Sequence, residues 1–404
     1  MRILVITHRF PYPADKGDRI RGFTWLSALG SEHCVDLLTF ADDSVDGGQI
    51  EDLIEKTRIR NVFPVRENRF GRIAYGVISA VSGFSLTEGY FYSNRFEQRL
   101  KELLRVNNYD ACLAVCSSVG SYFLRVSPRC RTIVDFVDVD SYKWQLYSES
   151  VGGLRGKFYR RESEKIALLE RRLMGVCDGI VVITSSEASR LEFSDVEVVG
   201  NPVGVSGSAV VGLENGGEIR RIVFVGQMDY FPNVDGVCWF ARNVWPELNR
   251  RYGDLRFTIV GRNPCYKVRN LSKLEGVEVT GEVSDVKDYF KGAISVVPLR
   301  IVCGLQNKLI ESLSCGVPVV ASSGVALAAD IDAGEGVIVA ECVSDWVGSI
   351  ARLKEEPKFA FGLGIAGRKA VAKRFSRAKV YRQMLNIVEG QMQGADAERA
   401  ELVC

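Results

Sequence analysis

A lysine and a glutamate, Lys308 and Glu311, stand three residues apart in the stretch CGLQNKLIESLSCGVPVVAS, which begins at Cys303. On a helix, this spacing places both side chains on one face and within one turn. They can form a solvated ion pair with each other. Alternatively, the ammonium group can neutralise a phosphate while the carboxylate accepts hydrogen bonds from two sugar hydroxyls.

The elements predicted around these residues favour the ligand interpretation. The pattern predicts a helix from Gly304 to Cys315 that ends at Gly316, followed by a buried strand over Val317–Ala321. Because the helix follows a predicted strand and loop, VVPLRIVC, we expect its first amide groups to face a cleft and attract an anion. A lysine one turn into the helix, with a carboxylate beyond it, then describes a nucleotide-sugar pocket.

Three apolar strands in the same half of the chain each close on a glycine. RIVFVG ends at Gly226, RFTIVG at Gly261 and VEVTG at Gly281. In an open parallel sheet, ligands bind outside the carboxyl ends of the strands, where glycine lets the backbone approach them closely. The glycines predict one ligand-binding rim, although tight strand-to-helix turns alone would give the same residues.

The N-terminal half carries a second candidate cluster. HRFPYPADKGDR follows the first predicted strand, which brings His8 to the cleft side and leaves Gly17 in a loop between Lys16 and Arg19. A glycine flanked by cations suits the approach of an anion.

Three carboxylates lie at the end of another strand, in the segment DFVDVDSYKW. Asp135, Asp138 and Asp140 are predicted at the strand end, facing the cleft. Asp138 can orient or deprotonate an acceptor hydroxyl, or it can cap the following helix. The Asp-x-Asp spacing also fits a metal site.

Short β-branched runs alternate with helical patterns along the chain, which predicts parallel α/β units. In the first half, strands are predicted at Ile3–Thr7, Val35–Phe40, Cys112–Val115, Thr132–Asp135 and Ile180–Thr184. Six glycines fall between Gly200 and Gly217 and predict a linker. After it, the three glycine-ended strands are followed by ISVVPL, PVVAS and GVIVA. The fold class is thus α/β, with two Rossmann-like parallel-sheet domains facing across a cleft.

We predict four segments. They are an N-terminal acceptor-side domain over 1–199, a linker over 200–217, a donor domain over 218–375, and a C-terminal helical segment over 376–404 that can return to the N-terminal domain.

The bulk composition excludes several classes of protein. The chain has 404 residues, is 47% hydrophobic and 25% charged, and carries a formal net charge of +2. That charge argues against nucleic-acid binding by bulk electrostatics, and two histidines exclude a histidine-rich metal site. No apolar run reaches the roughly 18 residues that a spanning helix needs. The eleven cysteines lack paired metal-site spacing, so we expect reduced cysteines in a cytoplasmic protein.

Several consecutive blocks resemble one family. FVGQMDYFPNVDGVCWF, FTIVGRNP, VTGEVSDVKDYF and VPLRIVCGLQNKLIESLSCGVPVVAS are similar to blocks of the retaining glycosyltransferases of family four, which have the GT-B fold. Within that family the chain most resembles the exosortase-associated sugar transferases of bacterial exopolysaccharide clusters. HRFPYPADKGDRIRGF and DFVDVDSYKW fit the same subgroup.

The resemblance implies roles for individual residues. Glu311 would bind the donor ribose hydroxyls, and amides near Gly304 and Leu305 would hold the donor sugar and diphosphate, with Lys308 nearby. Gly17 would let the N-terminal domain close over the diphosphate.

The chain also departs from the family pattern. Cys303 stands eight residues before Glu311, where many members have a second glutamate. Gln227 and Asn233 replace an arginine and a lysine that follow the first strand of the C-terminal domain. The charge of the diphosphate would then fall on Lys308, Arg300 or Arg262.

The resemblance therefore implies a retaining hexosyltransferase that moves a sugar from a nucleotide diphosphate sugar to a glycan or lipid-linked acceptor. No metal is expected at the Asp-x-Asp spacing, since GT-B members of the family usually rely on protein cations and helix dipoles, and no cofactor is expected beyond the nucleotide diphosphate sugar as co-substrate. Two alternatives remain: a nucleotide-sugar epimerase and a non-catalytic nucleotide-sugar-binding protein.

The segment RGKFYRRESEKIALLERRL, Arg155 to Leu173, predicts a basic, partly amphipathic helix. Its charges can form a solvated face. Alternatively, they can make weak contact with anionic lipid at the inner face of the cytoplasmic membrane, with Phe158 and Tyr159 entering the interface.

Overall fold

The computed structural model describes residues 1–15, 17–67, 69–203, 217–302 and 304–390. The chain divides into two compact units. The first comprises Met1–Pro202 and the chain from Ala378 onward, and the second comprises Val203–Arg377. Most of the predicted linker, residues 204–216, lies outside the described residues, as do Lys16, Cys303 and the last part of the predicted C-terminal segment.

The first unit is built on a seven-stranded parallel sheet. Its strands are β1 (Arg2–Thr7), β2 (Cys34–Ala41), β3 (Asn61–Arg66), β4 (Ala111–Val115), β5 (Arg131–Val137), β6 (Gly179–Val182) and β7 (Val196–Val198). Their order across the sheet is β3-β2-β1-β4-β5-β6-β7. The chain order therefore reverses between β1 and β4, and this switch point is where an open α/β sheet offers a crevice to a ligand.

The helices of the first unit connect these strands. They are α1 (Gly17–Gly30), α2 (Gly47–Thr57), α3 (Arg69–Val81), α4 (Leu86–Tyr90), α5 (Asn94–Val106), α6 (Ser117–Val126), α7 (Asp140–Ser150), α8 (Gly153–Met174) and α9 (Ser185–Ala188). The central strands are buried on both faces, as the continuous apolar run ILVIT of β1 requires. Leu4, Phe96 and Tyr122 lie in the core that helices and sheet share.

The second unit contains a six-stranded parallel sheet. Its strands are β8 (Arg221–Val225), β9 (Arg256–Val260), β10 (Val277–Gly281), β11 (Ala293–Val297), β12 (Val319–Ala321) and β13 (Val337–Val339). The order β10-β9-β8-β11-β12-β13 puts the switch point between β8 and β11. All six strands were predicted from the sequence.

The helices of the second unit cover this sheet. They are α10 (Phe231–Asn243), α11 (Trp245–Arg251), α12 (Tyr266–Arg269), α13 (Asn307–Ser314), α14 (Ser323–Ala328), α15 (Val343–Glu355) and α16 (Pro357–Phe375). Phe224, Phe240 and Phe257 are central to its core. A last helix, α17 (Arg377–Glu389), returns to the first unit, where Arg131 donates to the carbonyl of Ile387 at 3.3 Å.

The predicted α/β fold with two parallel-sheet domains is confirmed, with differences at the edges of the first sheet. The strands β3 and β7 were not predicted. β6 ends at Val182, not at Thr184, because Thr184 is the N-cap of α9 and accepts a hydrogen bond from the backbone of Glu187 at 3.1 Å. Within the described residues, no helix is long and apolar enough to cross a membrane.

Candidate functional site

The three strand-ending glycines of the second unit lie side by side. The backbone N–H of Gly226 donates to Val260 O at 3.0 Å, and that of Gly261 donates to Gly281 O at 3.0 Å. A Cβ added to Gly261, whose φ is 152°, would stand 1.7 Å from Gly226 O. Only glycine fits there, so this rim depends on close backbone packing at the carboxyl ends of β8, β9 and β10.

The helix that carries Lys308 and Glu311 begins later than predicted. Gly304 has a φ of 60°, which no helical residue adopts, and Gln306 is the N-cap of α13. The predicted start at Gly304 is therefore wrong by three residues, and Lys308 lies in the first turn instead of one turn in. The predicted end is confirmed, since Gly316 follows with a φ of 72°.

The ammonium group of Lys308 is held at the carboxyl end of β8. It donates to the side-chain oxygen of Asn233 on α10, and Asn233 donates in turn to Gln227 O at 2.9 Å. Nζ also lies 5.0 Å from the ring centroid of Phe224. Burial lowers the pKa of Lys308 to about 7. The site therefore holds a desolvated amine whose charge a bound anion would stabilise.

Glu311 does not pair with Lys308. Among the described residues, its carboxylate accepts no hydrogen bond, although Glu311 is half-buried. Burial raises the pKa of Glu311, and the nearby charge of Asp285 acts in the same direction. The ion-pair alternative is thus wrong, and α13 presents an amine and a carboxylate that do not neutralise each other.

The other predicted cations follow two strands of the same sheet. The guanidinium of Arg300 makes two hydrogen bonds to Asp235, at 2.9 and 2.5 Å, so it is already engaged. Arg262 follows β9 and lies next to the rim, where its carbonyl accepts from Met228 N at 2.9 Å. Leu305, half-buried, packs on the core of the second unit just before α13.

In the first unit, His8 lies directly after β1 and is buried. Its Nε2 is 3.2 Å from an oxygen of Asp18 on α1, which also accepts from Arg9 at 2.9 Å. Burial alone would raise the pKa of Asp18, but His8 and Arg9 hold that pKa well below its ordinary value. Gly17 was predicted to lie in a loop, but it is the first residue of α1. A Cβ there would meet nothing within 4 Å.

The aspartate within β5 and the two that follow the strand have different roles. Asp135 is fully buried and accepts from Arg21 Nε and Trp25 Nε1, both at 2.5 Å. The prediction that Asp135 faces a cleft is therefore wrong. Asp140 accepts from Lys143 at 3.0 Å.

Asp138 is the aspartate with the properties of a functional group. It does not cap α7, because the N-cap is Val139 and no side-chain cap hydrogen bond is present, so the cap alternative is wrong. Burial raises the pKa of Asp138 to about 6; the charge of Lys143 opposes this, and the neighbouring Asp140 and Asp135 reinforce it. Such a carboxylate is ionised at neutral pH yet basic enough to take a proton.

Strained backbone lies at the ends of β4 and β5. Cys116, directly after β4, has a φ of 92°, and Val137, the last residue of β5, has a φ of 66°. Non-glycine residues in this region are costly and concentrate at functional sites. Both flank the carboxyl ends of central strands, next to the switch point of the first sheet.

Sequence reasoning missed three contributors. Asn233 was noted only as a replacement, yet it anchors Lys308; Asp18 and Lys143 were not selected. For Lys143 a signal existed, since it stands three residues after Asp140 at the start of a helix. Among the described residues, no group of three or more histidine, cysteine, aspartate or glutamate side chains is arranged to hold a metal ion.

Comparison with known protein families gives a match in the second unit. Residues 219–356 match the family model described as glycosyl transferases group 1. This segment, about a third of the chain, includes the glycine rim and α13. No curated protein matches the sequence significantly.

Solved structures resemble the entire chain. Sucrose-phosphate synthase from Thermosynechococcus elongatus superimposes with a TM-score of 0.70 at 15% identity, covering 96% of this chain and 99% of its own. HepE from Anabaena in complex with UDP and glucose gives a TM-score of 0.66 at 12% identity, covering 96% and 100%. An E. coli protein described as trehalose-6-phosphate bound with UDP-2-fluoro glucose gives 0.64 at 12% identity, covering 97% and 99%. The chain therefore has the two-domain fold of the GT-B glycosyltransferases, and its segment 219–356 matches the glycosyl transferases group 1 family.

Proposed function

We propose that this chain is a retaining glycosyltransferase of exopolysaccharide synthesis, which moves a hexose from a nucleotide diphosphate sugar to a glycan or lipid-linked acceptor. One observation carries the proposal. At the switch point of the second sheet, α13 presents the amine of half-buried Lys308 and, three residues later, the carboxylate of Glu311, and the two do not pair. The UDP-containing structures of similar fold support a nucleotide-sugar donor.

The donor half of the reaction follows from these groups. A diphosphate beside Lys308 raises the pKa of its amine from about 7, so the lysine is charged in the complex and stabilises the leaving group. The N-terminus of α13 adds a favourable dipole. Glu311 accepts hydrogen bonds from two ribose hydroxyls, and the chain near Gly304, Leu305 and Gly226 allows close approach of the donor.

The acceptor half uses groups of the first unit. Asp138, with a pKa of about 6, accepts the proton of the attacking hydroxyl. His8 and its partner Asp18 are a second pair able to orient a substrate. Retention and the exopolysaccharide context rest on the family resemblance.

The test is a donor panel. Purified full-length protein is incubated with labelled UDP-, GDP- and dTDP-sugars, with and without a chelator, and products are followed by NMR. We expect slow donor hydrolysis that releases the sugar with retained configuration and continues in chelator. Epimerised donor, or binding without turnover, would replace the proposal with an epimerase or a sensor. Loss of activity in chelator, restored by a divalent ion, would contradict the proposed metal-free mechanism.

A further inference from the structure

Helix α3 packs small residues on its neighbour α4 and exposes large apolar residues, the reverse of the usual arrangement. It turns its small residues toward α4: an added Cβ on Gly76 would lie 3.2 Å from Leu86 O. Its Ser79 packs so closely on Gly89 that a Cβ there would stand 2.3 Å from the serine Cβ. The part of α3 that packs on α4 through Gly76 and Ser79 is therefore made of small residues, which remove little apolar area from water there.

The opposite face of α3 exposes large apolar side chains. We call Ile73, Val77, Ile78, Val81 and Phe84 the apolar ridge; Phe84 follows the helix directly. The exposed fraction of the four aliphatic side chains runs from 48% at Ile73 to 85% at Val81. Spacings of four residues place Ile73, Val77 and Val81 in one row. A contiguous apolar surface of this kind marks an interaction site.

Basic side chains lie beside the ridge. The guanidinium of Arg161 on α8 donates to the carbonyls of Ala80 and Phe84, which fixes the first turns of α8 next to the end of α3. There, α8 exposes three cations and two apolar side chains. We call the exposed Arg155, Lys157 and Arg160 the basic turn; Leu154 and Phe158 are exposed with them.

Two acidic residues of this region, one on α8 and one on α4, point inward. Glu162 is buried and accepts from the backbone N–H groups of Leu86 and Thr87, at 2.9 and 2.7 Å. Glu88 is buried as well and faces Arg125 at 3.6 Å. The first exposed acid on α8, Glu164, comes after the basic turn. The surface that remains outside is apolar along α3 and positive along the start of α8.

We propose that the apolar ridge and the basic turn together dock on the surface of an anionic lipid bilayer. A helix that lies flat, with large apolar residues on its outer face and arginine and lysine at its edge, has the pattern of an interfacial helix. The basic turn is attracted to anionic headgroups while the ridge enters the acyl boundary. A symmetric contact between two copies would instead bring two basic turns of like charge together.

This site differs from the one that the sequence suggested. The sequence placed lipid contact on α8 alone, with Phe158 and Tyr159 in the interface. Tyr159 is half-buried, with its ring centroid 5.3 Å from that of Trp144, so it is engaged inside the first unit. The principal apolar contact is made by α3, and α8 supplies charge.

The experiment is vesicle sedimentation of the full-length protein, without any donor, so its outcome is independent of glycosyl transfer. Vesicles contain either phosphatidylcholine alone or an equimolar mixture with phosphatidylglycerol. The test variant combines Val77→Glu and Val81→Glu on the ridge. The control combines Val106→Glu and Val176→Glu, which are likewise exposed and change the net charge equally.

We expect the unmodified protein and the control to bind anionic vesicles. The affinity of the ridge variant for these vesicles should be lower by a factor of about ten or more. Thermal unfolding verifies that both variants fold. If the ridge variant does not fold, the double variant Ile78→Ser with Val81→Ser replaces it. Equal binding by ridge variant and control, or no binding by the unmodified protein, would overturn the proposal. If the unmodified protein and the control form a dimer that the ridge variant does not form, and none of them binds vesicles, the ridge is instead covered by a second copy of the chain.

Discussion

At the scale of single residues, Lys308 combines a stability cost with a proposed function. Its ordinary pKa of 10.5 falls to about 7 in the folded protein because the amine is desolvated. Between these values the unfolded chain binds more protons, so the free energy of unfolding rises with pH across this window. Below about pH 7 the buried charge is present in full and its cost is greatest.

The variant Lys308→Met separates these two effects. We expect donor affinity to fall by about 1.5–3 kcal/mol, since a charge-assisted bond to the diphosphate is lost. The free energy of unfolding at pH 6 should rise by about 1–3 kcal/mol, a gain that shrinks as pH increases through 7. Calorimetric titration with UDP-sugar and denaturant unfolding measure the two quantities. The control is Lys291→Met, which replaces an exposed lysine of the same unit and should change neither donor affinity nor the free energy of unfolding. Unchanged donor affinity in Lys308→Met would contradict the proposed role of Lys308 at the diphosphate.

Asp138 makes a separate prediction about pH. If Asp138 is the general base, kcat/KM should increase with pH through about 6, because only the ionised carboxylate takes the acceptor proton. Asp138→Asn should lower kcat by roughly 10²–10⁴ and leave UDP affinity unchanged. Its folded pKa is raised, so ionisation above about 6 costs stability, and the asparagine variant should gain up to about 3 kcal/mol at pH 7 but not at pH 4.

Exposed Asp195 offers the matched control for that experiment. Asp195→Asn should retain the activity, the pH profile and the stability of the unmodified protein. If Asp138→Asn keeps both the activity and the acidic limb of the pH profile, the proton acceptor must be another group.

At the scale of elements, the sequence predicted the strands better than the helix starts. Continuous apolar runs such as RIVFVG can only be buried strands in this context, and each was found. The start of α13 was missed because Gly304 and Leu305 continue the helical spacing, while the left-handed φ at Gly304 has no signal in composition. The edge strands β3 and β7 are half-exposed and lack that apolar run.

The candidate site was only partly predictable for a related reason. Lys308 and Glu311 share one helix, so their spacing alone put them on one face. The bond between Lys308 and Asn233 joins residues 75 positions apart, and the pairing of Arg21 with Asp135 spans 114. Such long-range contacts depend on the order of strands in the sheet, which periodicity does not specify.

The glycine rim gives the prediction that belongs to this scale. Gly261→Ala forces a Cβ to 1.7 Å from Gly226 O, so the ends of β8 and β9 must separate. We expect a loss of at least about 2–3 kcal/mol in unfolding free energy, together with weakened UDP affinity. Gly253→Ala is the control, because a Cβ there meets nothing within 4 Å. A stable Gly261→Ala protein with normal UDP binding would show that the rim tolerates this separation.

At the scale of the whole molecule, the chain leaves the first unit at Pro202 and comes back to it at Ala378. The sequence allowed such a return for its C-terminal segment but offered no evidence for it. The contacts explain why: Arg131 meets the carbonyl of Ile387, and Glu389 lies 3.2 Å from His33, so both partners belong to the distant N-terminal half. Helix α17 is thus structurally part of a unit whose other elements precede residue 203.

This connectivity predicts which unit a change in α17 will weaken. Val380, Met384 and Val388 are fully buried, so Met384→Ala removes core volume and should cost about 2–5 kcal/mol. Since α17 groups with Met1–Pro202, the loss should appear in the first unit's unfolding transition, while the second unit, where we propose that UDP binds, keeps its midpoint. Arg382→Ala, exposed on the same helix, should change stability by less than about 0.5 kcal/mol. Calorimetry with and without UDP distinguishes the transitions, and a Met384→Ala protein that loses the UDP-sensitive transition instead would assign α17 to the second unit.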